Sequence, residues 1–577
     1  MLAGFCKVVI TPPLGQVAFA GYNGRKHLPR GVLVDDEGNR HEIYARALVL
    51  DPDGNEDPGK VACIVSSDLF MIRNYWVEQV RALAEKLTGG HVPGKNICIH
   101  ATHSHQAPDS LGIYYPGHDF DGSYLDEAWL GHLARQVAGA IFGAWKARRP
   151  ALLSTGEGML EGHTINRRDM GLFDTSSPPN PRTIDPQVPV IIVHDLDGTP
   201  RVVITAFATH PTFLSTFEEW SGEHVPFLEQ EAKRAFGQQV ELMYFTGQAG
   251  DIIPGHDPEE RTQIVLNPKG WDLKPYQVPL HVDKREGKLI ISQLDTLARR
   301  IDVTREAISN GLRTELDVDS RIVDDALEID VRPDGNPVIR DVFATVSRLA
   351  HARRSMALVS RFAKDFVGEM ARVRKKMIPG VVNDIRIDRE SIDIEIDDVD
   401  MAEQYSVLVA KSSPEKGDDG KVRVKSEVQG ILIGRTYIMC LPSEPINEIG
   451  MRLKKLVQEQ AGTAIDHVFL FQMCNDGFGY VVTPFEHEAG GYEVSIFCFG
   501  KRNGFIIEAA SLRLASRMLG KSIEWKDVPL PDFQQAPWPD ARQKARDEWI
   551  NLKQSAQKTS PKTRKASKPS RSSGAPR

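Results

Sequence analysis

The 577-residue chain contains no stretch close to the roughly 18 uninterrupted apolar residues that a membrane-spanning helix requires. Its opening, MLAGFCKVVITPPLG, lacks the basic start, long apolar run and small-residue cleavage site of a secretory signal. A cytoplasmic protein without a transmembrane segment is therefore expected. Cysteine is sparse: Cys6, Cys63, Cys98, Cys440, Cys474 and Cys498 are scattered and show no CxxC spacing, which argues against a zinc–thiolate site. Set in apolar runs such as ACIV and ICIH, they read as buried, reduced thiols. A large excess of one charge is also missing, because 71 Lys+Arg against 78 Asp+Glu give −7. The segment from Lys553 to Arg577 holds eight basic residues and no acid, leaving −15 on the remainder, so the folded part offers no footprint for nucleic acid.

What is present is a globular composition, 41% hydrophobic and 26% charged, long enough for two or three domains. Over the first 250 residues, short apolar runs (IYARALVL, VACIVSSDLF, NICIHAT, PVIIVHDL, RVVITAFAT, VELMYFTG) alternate with helical patterns. The DGTP between PVIIVHDL and RVVITAFAT predicts a hairpin, so the sheet is expected to be mixed. Helices are predicted over about 74–88 and 123–147, the second capped by Ser123, and over about 444–460. From about 284 to 378 the pattern reads as helical and charge-rich. The fold class is therefore α/β, a mixed-sheet main domain with a helical insertion. Residues 1–270 and 430–525 form the main domain, 271–429 a helical or α+β subdomain, 526–552 a helical end, and 553–577 a disordered basic tail.

The segment HATHSHQAP at 100–108 places His103 and His105 two apart after an apolar run, where a strand would point both imidazoles to one side. His210 ends another such run, RVVITAFATH. Hydrolytic zinc sites need three or four His, carboxylate or Cys ligands, so these histidines are candidates, with a hydrogen-bonded structural role as the alternative for His210. Both His103 and His105 as ligands of a two-metal site is a further alternative. Glu444, in LPSEPINEIGMRL, reads equally as a carboxylate favoured at a helix N-terminus.

The order ITPPLG, GYNGR, IYARALVLD, SSDLFMI, HATHSHQAP, NRRD, FATHPT, FTGQAGDIIP, LPSEPINEIGMRL and GYVVTPFEHEAGGYE resembles the neutral/alkaline, non-lysosomal ceramidase family in its wide bacterial sense, over about residues 1–500. The resemblance implies a Zn2+ cofactor held by His103, His210, Glu444 and Tyr480. It also implies His105 as a proton-exchanging group, Arg167 beside the scissile bond, with Arg168 as the alternative assignment, and Tyr492 as donor to the developing oxyanion. It implies a zinc-dependent amidohydrolase of sphingolipid-type metabolism, cleaving an amide in an N-acyl lipid-like substrate through metal-activated water. Two features depart from the family. Ile253 stands where true ceramidases carry a serine before the loop proline, and no C-terminal immunoglobulin-like domain is read after residue 520. A non-catalytic ceramidase-like binding protein, or a zinc hydrolase of another amide or ester, is the alternative function. The sequence is silent on oligomeric state.

Overall fold

The computed structural model describes residues 1–22, 28–54, 56–118, 121–168, 184–214, 217–255 and 280–526. Apart from Lys526, the expected helical end at 526–552 and the basic tail at 553–577 lie outside the described residues. Three sheets build the body. The first has five strands in the order Ile97–Ala101, Ala62–Ser67, Tyr44–Asp51, Leu2–Val9 and Arg149–Pro150, with the first pair parallel and the rest antiparallel. The second runs Glu241–Thr246, Pro200–Phe207, Gln187–His194 and Leu152–Met159, again with one parallel pair. The third runs Ile385–Ile396, Val422–Ile433, Thr436–Cys440 and His467–Phe471, with Glu415–Lys416 at the side of Val422–Ile433. The result is the mixed α/β architecture expected from the alternating runs.

The strands read as continuous apolar runs because they are covered on both faces. One cluster takes Leu48, Ile64, Ile204, Phe245, Ile438 and Phe471, so all three sheets share a core. Helices Asn74–Leu87 and Glu127–Lys146 cover the first sheet from the other side, and Asn447–Ala461 and Asn503–Leu519 close the third. Helix Ile339–Arg374 and helix Val225–Phe236 pack together on the second.

Local signals set most of these elements. The DGTP turn closes Gln187–His194 onto Pro200–Phe207 as the predicted hairpin, with Asp195 N donating to Thr199 O at 2.8 Å. The second predicted helix begins at Glu127 and is capped by Asp126, whose carboxylate accepts from Trp129 N at 2.8 Å, and not by Ser123. The block read as helical from 284 starts as two hairpins, His281–Arg285 with Lys288–Ser292 and Ser320–Val323 with Ala326–Asp330, forming a four-stranded sheet packed on helices Leu294–Arg300 and Arg305–Leu316. The apolar run LII has no helical partner face of its own; a cross-strand neighbour, Ala326–Asp330, fixes it as a strand. Further along, Ile385–Ile396, placed by the sequence reading in the inserted block, pairs residue for residue with Val422–Ile433 in the third sheet.

Candidate metal centre and active site

The strand Ile97–Ala101 stops two residues before His103, so the period-two argument for His-x-His does not apply. His103 instead adopts a left-handed backbone, φ 66°, a conformation held here by tertiary contacts. Its amide donates to Leu69 O at 2.8 Å, its Nδ1 meets Phe70 O at 2.9 Å, and its ring stacks on Phe70 with centroids 4.5 Å apart. His210 is anchored in the same manner, since both its amide and its Nδ1 reach Ile252 O at 2.9 Å. A carbonyl oxygen only accepts, so each imidazole donates from Nδ1 and turns its Nε2 inward.

Glu444 and Tyr480 come from two strands of only two residues, Glu444–Pro445 and Tyr480–Val481, paired in parallel with these two residues in register. The predicted helix begins later, at Asn447, which places Glu444 ahead of the helix. Gly250 passes directly beneath: its amide donates to Pro445 O at 2.9 Å, and a Cβ there would lie 2.6 Å from Glu444 O.

Glu444 Oε2 lies 2.9 Å from His103 Nε2 and 3.2 Å from His210 Nε2, and Tyr480 Oη lies 3.4 Å from His210 Nε2. All four residues are buried. Burial raises the Glu444 carboxyl, but the neighbouring His103 and His210 rings outweigh it and hold it well below the usual carboxylate range. Burial and the Arg167 charge push His210 down to about 4. A carboxylate oxygen of Glu444 and the ring nitrogens of His103 and His210 face one another, and neither His103 Nε2 nor Glu444 Oε2 makes a hydrogen bond. Acceptors in that arrangement repel unless a cation lies between them. Ligands about 2.0–2.2 Å from a tetrahedral divalent ion sit roughly 3.3–3.6 Å apart; the spacings of 3.2 and 3.4 Å lie close to that range and the 2.9 Å spacing is shorter. The donor set fits a Zn2+-like cation. His105 is adjacent: one ring nitrogen each of His103, His105 and His210 lies within 4.8 Å of the others.

On the open side of this cluster, the His105 ring stands 5.0 Å from the His103 ring and 5.8 Å from that of His210, flanked by Tyr22 and Phe70. Arg167 places its guanidinium carbon 5.3 Å from the Tyr480 ring and 4.6 Å from the Tyr492 ring, and donates from Nε to Glu493 at 2.7 Å and from Nη2 to Gly250 O at 2.6 Å. Arg168 turns away, donating to Glu486 at 2.6 Å and Glu493 at 2.5 Å, so Arg167 is the arginine beside the tyrosines. Asp251, buried, accepts from Asn166 Nδ2 and Asn447 N, each at 2.7 Å, tying the Ile252 loop to the helix after Glu444.

Several supporting groups were not singled out from the sequence. Phe70 and Ile252 act through backbone carbonyls, which carry no side-chain signature. Gly21, within the motif GYNGR, is legible only in space: it has φ 88°, and a Cβ there would stand 2.5 Å from the His105 ring. Glu493 adjoins Tyr492 in the motif and was passed over because its partner, Arg167, is 326 residues away.

Comparison with known proteins supports the motif reading. Residues 1–220 match the family model described as neutral/alkaline non-lysosomal ceramidase, N-terminal. A neutral ceramidase of Mycobacterium tuberculosis (strain ATCC 25618 / H37Rv) is 22% identical over 480 residues, spanning 80% of this chain and 70% of that protein. The crystal structure of the neutral ceramidase from Pseudomonas aeruginosa superposes with a TM-score of 0.57 at 15% identity, over 92% of this chain and 76% of the other. A ceramidase complexed with C2 gives 0.58 at 14% identity. At such identities the structural likeness speaks for the fold alone. The resemblance read from ten short motifs is therefore borne out: the chain is similar to the neutral/alkaline non-lysosomal ceramidases, in sequence over its first 220 residues and in fold over nearly all of its length.

Proposed function

We propose that the chain is a zinc-dependent hydrolase that cleaves the amide bond of an N-acyl lipid of the ceramide type. The observation that carries the reading is the set of inward-facing acceptors, His103 Nε2, His210 Nε2, Glu444 Oε2 and Tyr480 Oη, at 2.9 to 3.4 Å. When bound there, Zn2+ supplies Lewis acidity toward a substrate carbonyl and lowers the pKa of water. The remaining chemistry belongs to the side chains around it. His105 accepts the proton of the attacking water and returns it to the departing amine, a task suited to an imidazole. Tyr492 donates its hydroxyl to the oxyanion that forms as the carbonyl becomes tetrahedral, and Arg167, fixed by Glu493, adds positive charge beside the same oxygen. Phe70 and Ile252 hold the two histidines in the tautomer that presents Nε2. Ile253 offers no nucleophile, so water attacks directly and no serine acyl-enzyme forms.

The test compares purified wild type with His103→Ala and His210→Ala for bound metal and for hydrolysis of N-acyl sphingoid bases, simple N-acyl amides and esters. One equivalent of zinc and metal-dependent amide turnover in wild type, both lost in the two variants, are expected. A metal-loaded protein that binds the amides and hydrolyses none of the panel returns the reading to a binding protein.

A further inference from the structure

Three of the six cysteines meet in space. Cys98 lies in strand Ile97–Ala101, Cys440 ends strand Thr436–Cys440, and Cys474 follows strand His467–Phe471. Their sulfur atoms lie within 4.8 Å of one another, each residue is at most 1% exposed, and all three are free thiols. The Cys474 thiol donates to Gln472 O at 3.4 Å and Phe471 O at 3.7 Å.

The backbone directs this convergence. Asn475 N donates to Ile99 O at 2.7 Å, Asn475 Oδ1 accepts from Ile99 N at 2.8 Å, and Cys474 N donates to Leu441 O at 2.9 Å. Cys474 is thus clamped between the strand that carries Cys98 and the end of the strand that carries Cys440. Its two neighbours, Met473 and Asn475, both hold left-handed backbones, φ 53° and 63°, which L residues rarely adopt. A cysteine acting as small apolar filler needs no other sulfur beside it. A thiophilic cation about 2.3 Å from each of three thiolates separates the sulfurs by about 4 Å, within the spacing found here.

We propose that Cys98, Cys440 and Cys474 form a three-thiolate site for a thiophilic d10 cation such as Cu(I) or Zn(II), stapling the first sheet to the third. Binding breaks three S–H bonds and forms three metal–sulfur bonds; three protons leave to solvent and no electron is transferred. The site shares no residue with the histidine cluster.

The test uses Cd2+, a d10 probe whose bonds to thiolate give a near-ultraviolet charge-transfer band that imidazole, carboxylate and phenolate ligands do not. The full chain is produced with Cd2+ in the medium, reduced, and freed of loose metal. Wild type is expected to show a band of three-thiolate intensity and to hold one Cd2+ more than Cys98→Ala and Cys440→Ala, while Cys63→Ala keeps the band. Folded wild type without the band, or a band unchanged in Cys98→Ala and Cys440→Ala, overturns the proposal. Should those variants fail to fold, the wild-type band and metal ratio decide alone.

Discussion

Tyr492 and Arg167 stand together, the guanidinium carbon 4.6 Å from the phenol ring, yet the account gives them separable effects. Tyr492→Phe removes the hydroxyl proposed to donate to the oxyanion and leaves His103, His210, Glu444 and Tyr480 in place. A fall in kcat of roughly 10²–10³-fold with unchanged zinc content is expected, measured by steady-state kinetics beside metal analysis. Gly21→Ala tests how His105 is held. The added methyl would lie 2.5 Å from the imidazole, so amide turnover is expected to fall at least about tenfold with metal retained, and wild-type activity would remove His105 from the proton path. At this scale the sequence was most informative where a side chain performs the role: His103, His105, His210, Glu444, Tyr480, Arg167 and Tyr492 all lie in one neighbourhood. It was silent where a backbone atom does, as at Phe70 and Ile252.

Two short elements decide whether Glu444 and Tyr480 meet at all. Their paired strands are two residues long each, too short for any periodicity, and only the pairing of Glu444 with Tyr480 across the fold shows them. The Gly250 loop supports this pair from below, and Gly250→Ala drives a Cβ to 2.6 Å from Glu444 O and 2.7 Å from Pro445 O. Zinc affinity is expected to drop by roughly 10–100-fold, as for other supports of metal ligands, with a competing chelator as the measurement. Longer elements were legible when their own residues settle them, as with the DGTP hairpin and helix Asn74–Leu87. The hairpins between 281 and 330 were read as helix because short apolar runs such as LII suit either state until a partner strand is known.

Across the whole molecule, stability responds to protonation of a base buried in any of its cores, and the core between the second sheet and helix Ile339–Arg374 surrounds one. His224, among Phe213, Tyr244 and Phe362, has neither ring nitrogen hydrogen-bonded, and burial pushes its pKa from the ordinary 6.5 down to about 3. The unfolded chain binds a proton that the folded chain refuses, so this contribution is fully present above pH 6.5 and drains away as pH falls toward 3. The upper bound of the loss is about 5 kcal/mol. His224→Phe is expected to flatten the fall in urea midpoint between pH 7 and 4, and an unaltered slope would contradict it. No described helix is long and apolar enough to cross a membrane. The alternation of apolar runs with helical patterns carried the fold class, while the joining of residues 385–396 to the third sheet was not legible, because that pairing is settled only by its partner strand, Val422–Ile433. Anomalous diffraction at the zinc edge from crystals of the purified full chain locates the metal. A peak is expected about 2.0–2.2 Å from His103 Nε2, His210 Nε2, a Glu444 oxygen and Tyr480 Oη; zinc-replete crystals with no peak among those four atoms rule the proposed centre out.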